Sequence, residues 1–188
     1  GYDSAGLATL TNNTINEKKC SGRVEELEKI LFKTPSDGNI GIGHVRWATH
    51  GVPNVTNAHP HSSDIVSVVH NGIIENSDEI KKELESKGLK FKSQTDTEVI
   101  TLLLTEALKS NKPLESVFKT LKKLKGSFAL GIIFKDYDNI IIGARRGSPL
   151  AVGYSNKENY LGSDSYALKS MTNKISYLDD GELCVLSK

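Results

Sequence analysis

A chain of 188 residues with 37% hydrophobic content is long enough to bury one sizeable core and fits a single domain. Its 24 Lys+Arg against 23 Asp+Glu leave a net charge of +1, so there is no global field for nucleic acid or an anionic membrane surface to exploit. The longest apolar run, residues 99–104 (VITLLL), is far too short to cross a bilayer, nothing resembles a signal peptide, and two cysteines make no disulfide framework; a cytoplasmic, reducing setting is expected.

Residues 5–11 and 14–20 read as a hairpin across Asn12 and Asn13, a pair that tolerates positive φ. Residues 23–32 carry Val24, Leu27, Ile30 and Leu31 at helical spacing. After a turn at 34–38, residues 39–46 read as a strand with Ile40 and Ile42 on one face and glycines on the other. Residues 47–64 show no period and contain two prolines, which predicts a long, functional loop. Residues 65–70 form a Val-rich strand that stops at the turn signal Asn71-Gly72.

Two capping boxes follow, Asn76 with Glu79 and Thr95 with Glu98, each opening a helix. The second helix has Val99, Leu102, Leu103, Leu104 and Leu108 as its apolar residues. A third starts at Pro113, with Leu114, Val117, Phe118, Leu121 and Leu124 expected inward. Strands are predicted over 127–134, 139–144, 150–154, 160–162, 175–178 and 183–186, with a short helical piece near 165–169. Tight turns between neighbours make these antiparallel. Strands, a block of helices, then strands again indicate an α+β fold.

Chemistry concentrates in residues 41–72. They hold all five histidines, Trp47 and Arg46. The fork of Arg46 suits a carboxylate, although a surface ion pair with a nearby acid is the plainer reading of an arginine. His59-x-His61 resembles a metal ligand pair, but His44 and His70 lie within strands and no cysteine is near; histidines that hydrogen-bond the loop into shape fit better, and no metal or other cofactor is expected. Asn71 and Gly72 form a turn signal. An Asn amide and a Gly N–H aimed at one oxygen would equally form an oxyanion hole. Asp96 is a helix-start acid that could instead receive an ammonium group. A carboxylate site, an ammonium site and an oxyanion hole together describe attack on the side-chain carbonyl of an α-amino acid.

HVRWATHG (44–51), NAHPH (57–61), HNGIIEN (70–76), TDTEVI (95–100) and the opening GYDSAG (1–6) closely resemble the glutaminase domain of the glucosamine-6-phosphate synthase family, a branch of the class II glutamine amidotransferases. ARRGSPL (144–150) and GSDSYAL (162–168) are similar to its pattern, and the resemblance spans essentially all of residues 1–188. It implies an N-terminal-nucleophile hydrolase-type fold, a four-layer αββα sandwich with antiparallel sheets. It implies hydrolysis of L-glutamine to glutamate and ammonia, for transfer to fructose 6-phosphate in partner sugar isomerase domains of a cytoplasmic full-length homodimer. By resemblance, Arg46 binds the glutamine α-carboxylate, Asp96 its ammonium group, and Asn71 with Gly72 forms the oxyanion hole. Thr49 and His50 line the glutamine loop, and Trp47 gates the ammonia passage.

The family pattern also has a cysteine-first strand and helix ahead of GYDSAG, whereas this sequence opens on Gly1. The expectation is therefore a domain truncated at its N-terminus, without that strand, that helix and the nucleophile, and inactive by itself. Two other readings stand beside it: a non-catalytic glutamine-binding module and a histidine-metal hydrolase.

Overall fold

The structure is a computed structural model and describes residues 3–47 and 51–187. The first hairpin forms as the sequence indicates. Strands β1 (Ser4–Thr11) and β2 (Thr14–Ser21) pair antiparallel from Ser4↔Ser21 to Thr11↔Thr14. Asn12 (φ 51°) and Asn13 (φ 58°) make the two-residue turn, whose doubly positive φ matches the right-handed twist of the strands. Helix α1 (Val24–Lys33) lies on the outer face of this hairpin and packs Leu27 on Ala5 and Cys20. Strand β3 (Ile40–Arg46) pairs with the other edge of β1, which gives the order β2-β1-β3.

The second sheet is built from β4 (His61–Ser62), β5 (Val66–Ile74), β6 (Gly126–Phe134), β7 (Ile140–Arg146) and β11 (Leu183–Ser187), in the order β11-β7-β6-β5-β4. Helices α2 (Ser77–Ser86), α3 (Thr97–Leu108) and α4 (Pro113–Leu121) fall between β5 and β6 in sequence. They fold over one face of this sheet, where Ile100, Leu104, Phe128, Leu130, Ile132 and Phe134 form a fully buried core. Each such side chain contributes about 1.5–3 kcal/mol by leaving water. The other face meets β1 and β3 through Ala8, Ile42 and Ile133. Both faces of β6 are therefore covered, which explains its unbroken apolar sequence FALGIIF. A third sheet, β10-β8-β9, comprises β8 (Ala151–Tyr154), β9 (Asn159–Gly162) and β10 (Lys174–Tyr177), with α5 (Ser165–Leu168) against it. The result is the αββα layering of N-terminal-nucleophile hydrolases, with one sheet layer present as two three-stranded ladders. No helix among the described residues is long and apolar enough to cross a membrane.

Four local expectations are corrected. Asn71-Gly72 does not end its strand: β5 continues to Ile74 because β6 pairs with it residue by residue, Asn71↔Ala129 through Ile74↔Gly126. Neither capping box forms. The Asn76 side chain is drawn to a distant turn, donating to the Lys123 carbonyl (2.9 Å) and accepting from the Lys125 N–H (2.8 Å). Glu98 instead accepts the N–H groups of Lys92 (2.9 Å) and Ser93 (2.6 Å), and α3 begins after Asp96 rather than at Thr95. In α4 the buried stripe is Pro113, Ser116, Val117 and Thr120, while Leu114 and Phe118 face solvent. Finally, the loop over 47–64 contains the short strand β4, whose His61 and Ser62 pair with Val68 and Ser67.

Candidate active site

The ends of β3 and β5 and the start of α3 converge on a cleft of about 430 Å³. Strand alternation decides what each contributes. On β5, Val68 and His70 face the helices, while Val69 and Asn71 face β3. On β3, Ile42 enters the core, His44 two residues later reaches Asn71, and Arg46 closes the strand at the cleft. The inward face of β3 thus passes from apolar to polar within five residues.

The cleft is lined by Arg46, Trp47, Asn71, Gly72 and Asp96 together, although the last is fifty positions from the first in sequence. Arg46 is buried rather than on the surface, 4% exposed. It does face an acid: its guanidinium lies 3.6 Å from the Asp3 carboxylate and also reaches the Gly51 carbonyl (3.5 Å). Asp96 accepts the backbone N–H of Ile74 on Oδ2 (2.8 Å), a bond that ties the start of α3 to the end of β5. Gly72 sits at φ 128°, and a Cβ there would overlap the Ser127 carbonyl. Only glycine allows that approach. Trp47 is 69% exposed at the rim. Thr49 and His50 lie outside the described residues.

Behind the cleft stands a layer of imidazoles and hydroxyls that the sequence reading recognised only as scaffolding. The Thr97 hydroxyl sits 2.8 Å from His59 Nε2 and 2.9 Å from His70 Nδ1. The Thr95 hydroxyl bonds His61 Nε2 (2.9 Å) and continues through Ser93, which donates to Glu98 (2.6 Å). The rings of His44 and His59 stack with centroids 4.5 Å apart, and His59 meets His61 edge-on at 5.0 Å. Burial dominates their ionisation. It pushes His61 down to about 3, helped by Lys19 and Arg46. It pushes His70 down to about 4 against the pull of Asp96, and places His59 well below its usual value. Burial also lowers His44, partly offset by its bond to Asn71. All four are neutral at pH 7.

His70, Thr97 and Ser163 also line the cleft without a role expected for them from the sequence, and so do His59, weighed there only as a metal ligand, and Thr95, expected only as a helix cap. The alternation of hydroxyls in SQTDT (93–97) was the available signal. Among the described residues no group of three or more His, Cys, Asp or Glu is placed to hold a metal ion. No thiol lines the cleft either. Cys20 is buried beneath α1, and Cys184 lies on β11, where burial raises its thiol.

Residues 44–170 match the family model described as a glutamine amidotransferase domain. Glutamine–fructose-6-phosphate aminotransferase [isomerizing] of Zymomonas mobilis subsp. mobilis is 51% identical across 100% of this chain, and that of Mesorhizobium japonicum is 52% identical across 100%. The chain spans 31% of the length of each. Among solved structures, the glutamine phosphoribosylpyrophosphate amidotransferase from B. subtilis superimposes with a TM-score of 0.84 at 25% identity, over 100% of this chain and 42% of that one. A glutamine aminotransferase class-II domain protein from Silicibacter pomeroyi shares the fold, with a TM-score of 0.68 at 14% identity over 98% and 87% of the two chains.

Proposed function

The chain belongs to the glutamine amidotransferase domain family, and from that premise we propose that its cleft binds L-glutamine and serves hydrolysis of the side-chain amide to glutamate and ammonia. The observation that carries this reading is the single cleft holding a cation, Arg46, an anion, Asp96, and the pair Asn71-Gly72. A zwitterionic α-amino acid requires the first two at one end. The Arg46 guanidinium takes the α-carboxylate and the Asp96 carboxylate the α-ammonium. The side-chain carbonyl then lies at Asn71 and Gly72, whose amide N–H groups stabilise the oxyanion as a nucleophile adds to the amide carbon. The proton given up by the nucleophile passes to the amide nitrogen, the C–N bond breaks to expel ammonia, and water hydrolyses the acyl-enzyme so formed to glutamate and the free nucleophile. By the family pattern Thr49 and His50 serve substrate binding, and Trp47 at the rim gates the departing ammonia.

The nucleophile is a thiol that these 188 residues do not bring to the cleft, since neither Cys20 nor Cys184 lines it. The 188 residues alone therefore bind glutamine without turnover. We propose further that the ammonia passes to fructose 6-phosphate, the sugar in the name of these relatives, in partner sugar isomerase domains of a homodimer. The test compares two proteins. The full gene product should release glutamate from glutamine, and the 188-residue chain should bind glutamine calorimetrically while releasing none. A full gene product that binds glutamine without hydrolysing it establishes instead a non-catalytic glutamine-binding module. A full product that does neither refutes the reading.

A further inference from the structure

An oxyanion hole needs a donor, and Asn71 offers the cleft either end of its amide. Which end it offers depends on the neighbour. His44 Nε2 lies 2.7 Å from Asn71 Oδ1, across the gap between the two sheets. We propose that His44 is a positioning residue: its Nε2–H holds the Asn71 oxygen and so turns the Asn71 Nδ2 donor toward the cleft. This deepens, and rests on, the reading of the cleft as a glutamine amidase site.

The geometry constrains where the imidazole proton sits. His44 Nδ1 is buried and has no hydrogen-bond partner. A proton there would leave a buried N–H unsatisfied, which folded proteins avoid more strictly than an unfilled acceptor. It would also leave Nε2 as an acceptor, and Asn71 would have to turn its NH₂ to His44 and its oxygen to the cleft. A carbonyl oxygen aimed at a developing oxyanion repels it. With the proton on Nε2, both demands are met together. The ring itself has little freedom. Its backbone is held opposite Gly6 on the central strand β1, and its face stacks on His59, which Thr97 anchors in turn. The sheet-to-sheet contact therefore sets the polarity of the site without His44 touching substrate.

The proposal separates from a merely structural role by a double-mutant cycle on the glutaminase activity of the full gene product. Removing one oxyanion donor costs about 10²–10³-fold in kcat, which sets the expectation for Asn71→Ala. His44→Leu should lower kcat by about 10–100-fold with KM for glutamine little changed, because the lost interaction matters in the transition state. In the Asn71→Ala background, His44→Leu should cost nothing further. His44→Gln, which keeps an N–H donor, should recover most of the rate. Long-range ¹H–¹⁵N NMR of the histidine rings should find the His44 proton on Nε2. Equal losses from His44→Leu in both backgrounds, a change confined to KM, or a proton on Nδ1 overturn the proposal. An inactive wild type instead sinks the functional reading on which it rests.

Discussion

The buried histidines predict how the stability of this domain depends on pH. Folding pushes His61 to about 3 and His70 to about 4, from a usual value of 6.5. Above 6.5 both rings are neutral in the folded and unfolded chain, and they add no pH dependence. Between 6.5 and 4 the unfolded chain takes up protons that the folded chain refuses, so stability falls as the pH falls. The slope approaches about 1.4 kcal/mol per pH unit for each ring. Integrated from pH 7 to pH 5, each ring removes about 2 kcal/mol, and the two together about 4 kcal/mol. His59, lowered by the same burial, adds to the loss. A domain of this size has only about 5–15 kcal/mol to lose. Glu83, held low by its hydrogen bonds to Lys87 and Lys123, acts in the same direction at more acid pH, its contribution being lost as the pH falls through the carboxylate range. Urea unfolding followed by far-UV circular dichroism at a series of pH values between 8 and 5 measures the effect. His61→Gln, which can still bond Thr95, should flatten the curve by about one proton's worth of slope. A stability that stays level or rises from pH 7 to pH 5 refutes the claim that these rings are held neutral.

Other substitutions test separate parts of the argument. Gly72→Ala puts a Cβ into the Ser127 carbonyl at a positive φ, and should cost about 3 kcal/mol of unfolding free energy, measured by urea titration, by breaking the β5–β6 ladder at the site. Asp96→Asn can keep the bond from Ile74 but loses the negative charge; glutamine affinity by calorimetry should fall about 10–100-fold with little change in unfolding. Asn76→Ala strands the Lys123 carbonyl and the Lys125 N–H at the turn into β6, and should lower stability by about 1–2 kcal/mol while leaving glutamine affinity unchanged.

Local chemistry was legible in the residues themselves. The Asn12-Asn13 turn, the α3 helix and the antiparallel run from β6 to β11 follow from φ tolerance, helical periodicity and turn spacing, which need no distant partner. So do the residue types at the site: an arginine, an acid and an Asn-Gly pair are recognisable as groups that grip an amino acid. Where a distant partner competes, the local signal fails. Asn71-Gly72 looks like a turn, yet nine residues of β6 extend the strand through it. Asn76 and Glu98 look like caps, yet backbone groups outside their helices claim their side chains. Leu114 and Phe118 look like core, yet α4 packs its smaller residues inward. Most of all, the polarity of residues 41–72 signalled a site, but only the folded chain resolved it. Strand alternation sends His70 toward Thr97 and Asn71 toward His44, so neighbours in sequence enter different layers. Arg46 and Asp96 meet in one cleft because β3 and β5 end there and α3 starts there, a convergence that depends on sheet pairing and not on any local stretch of the chain.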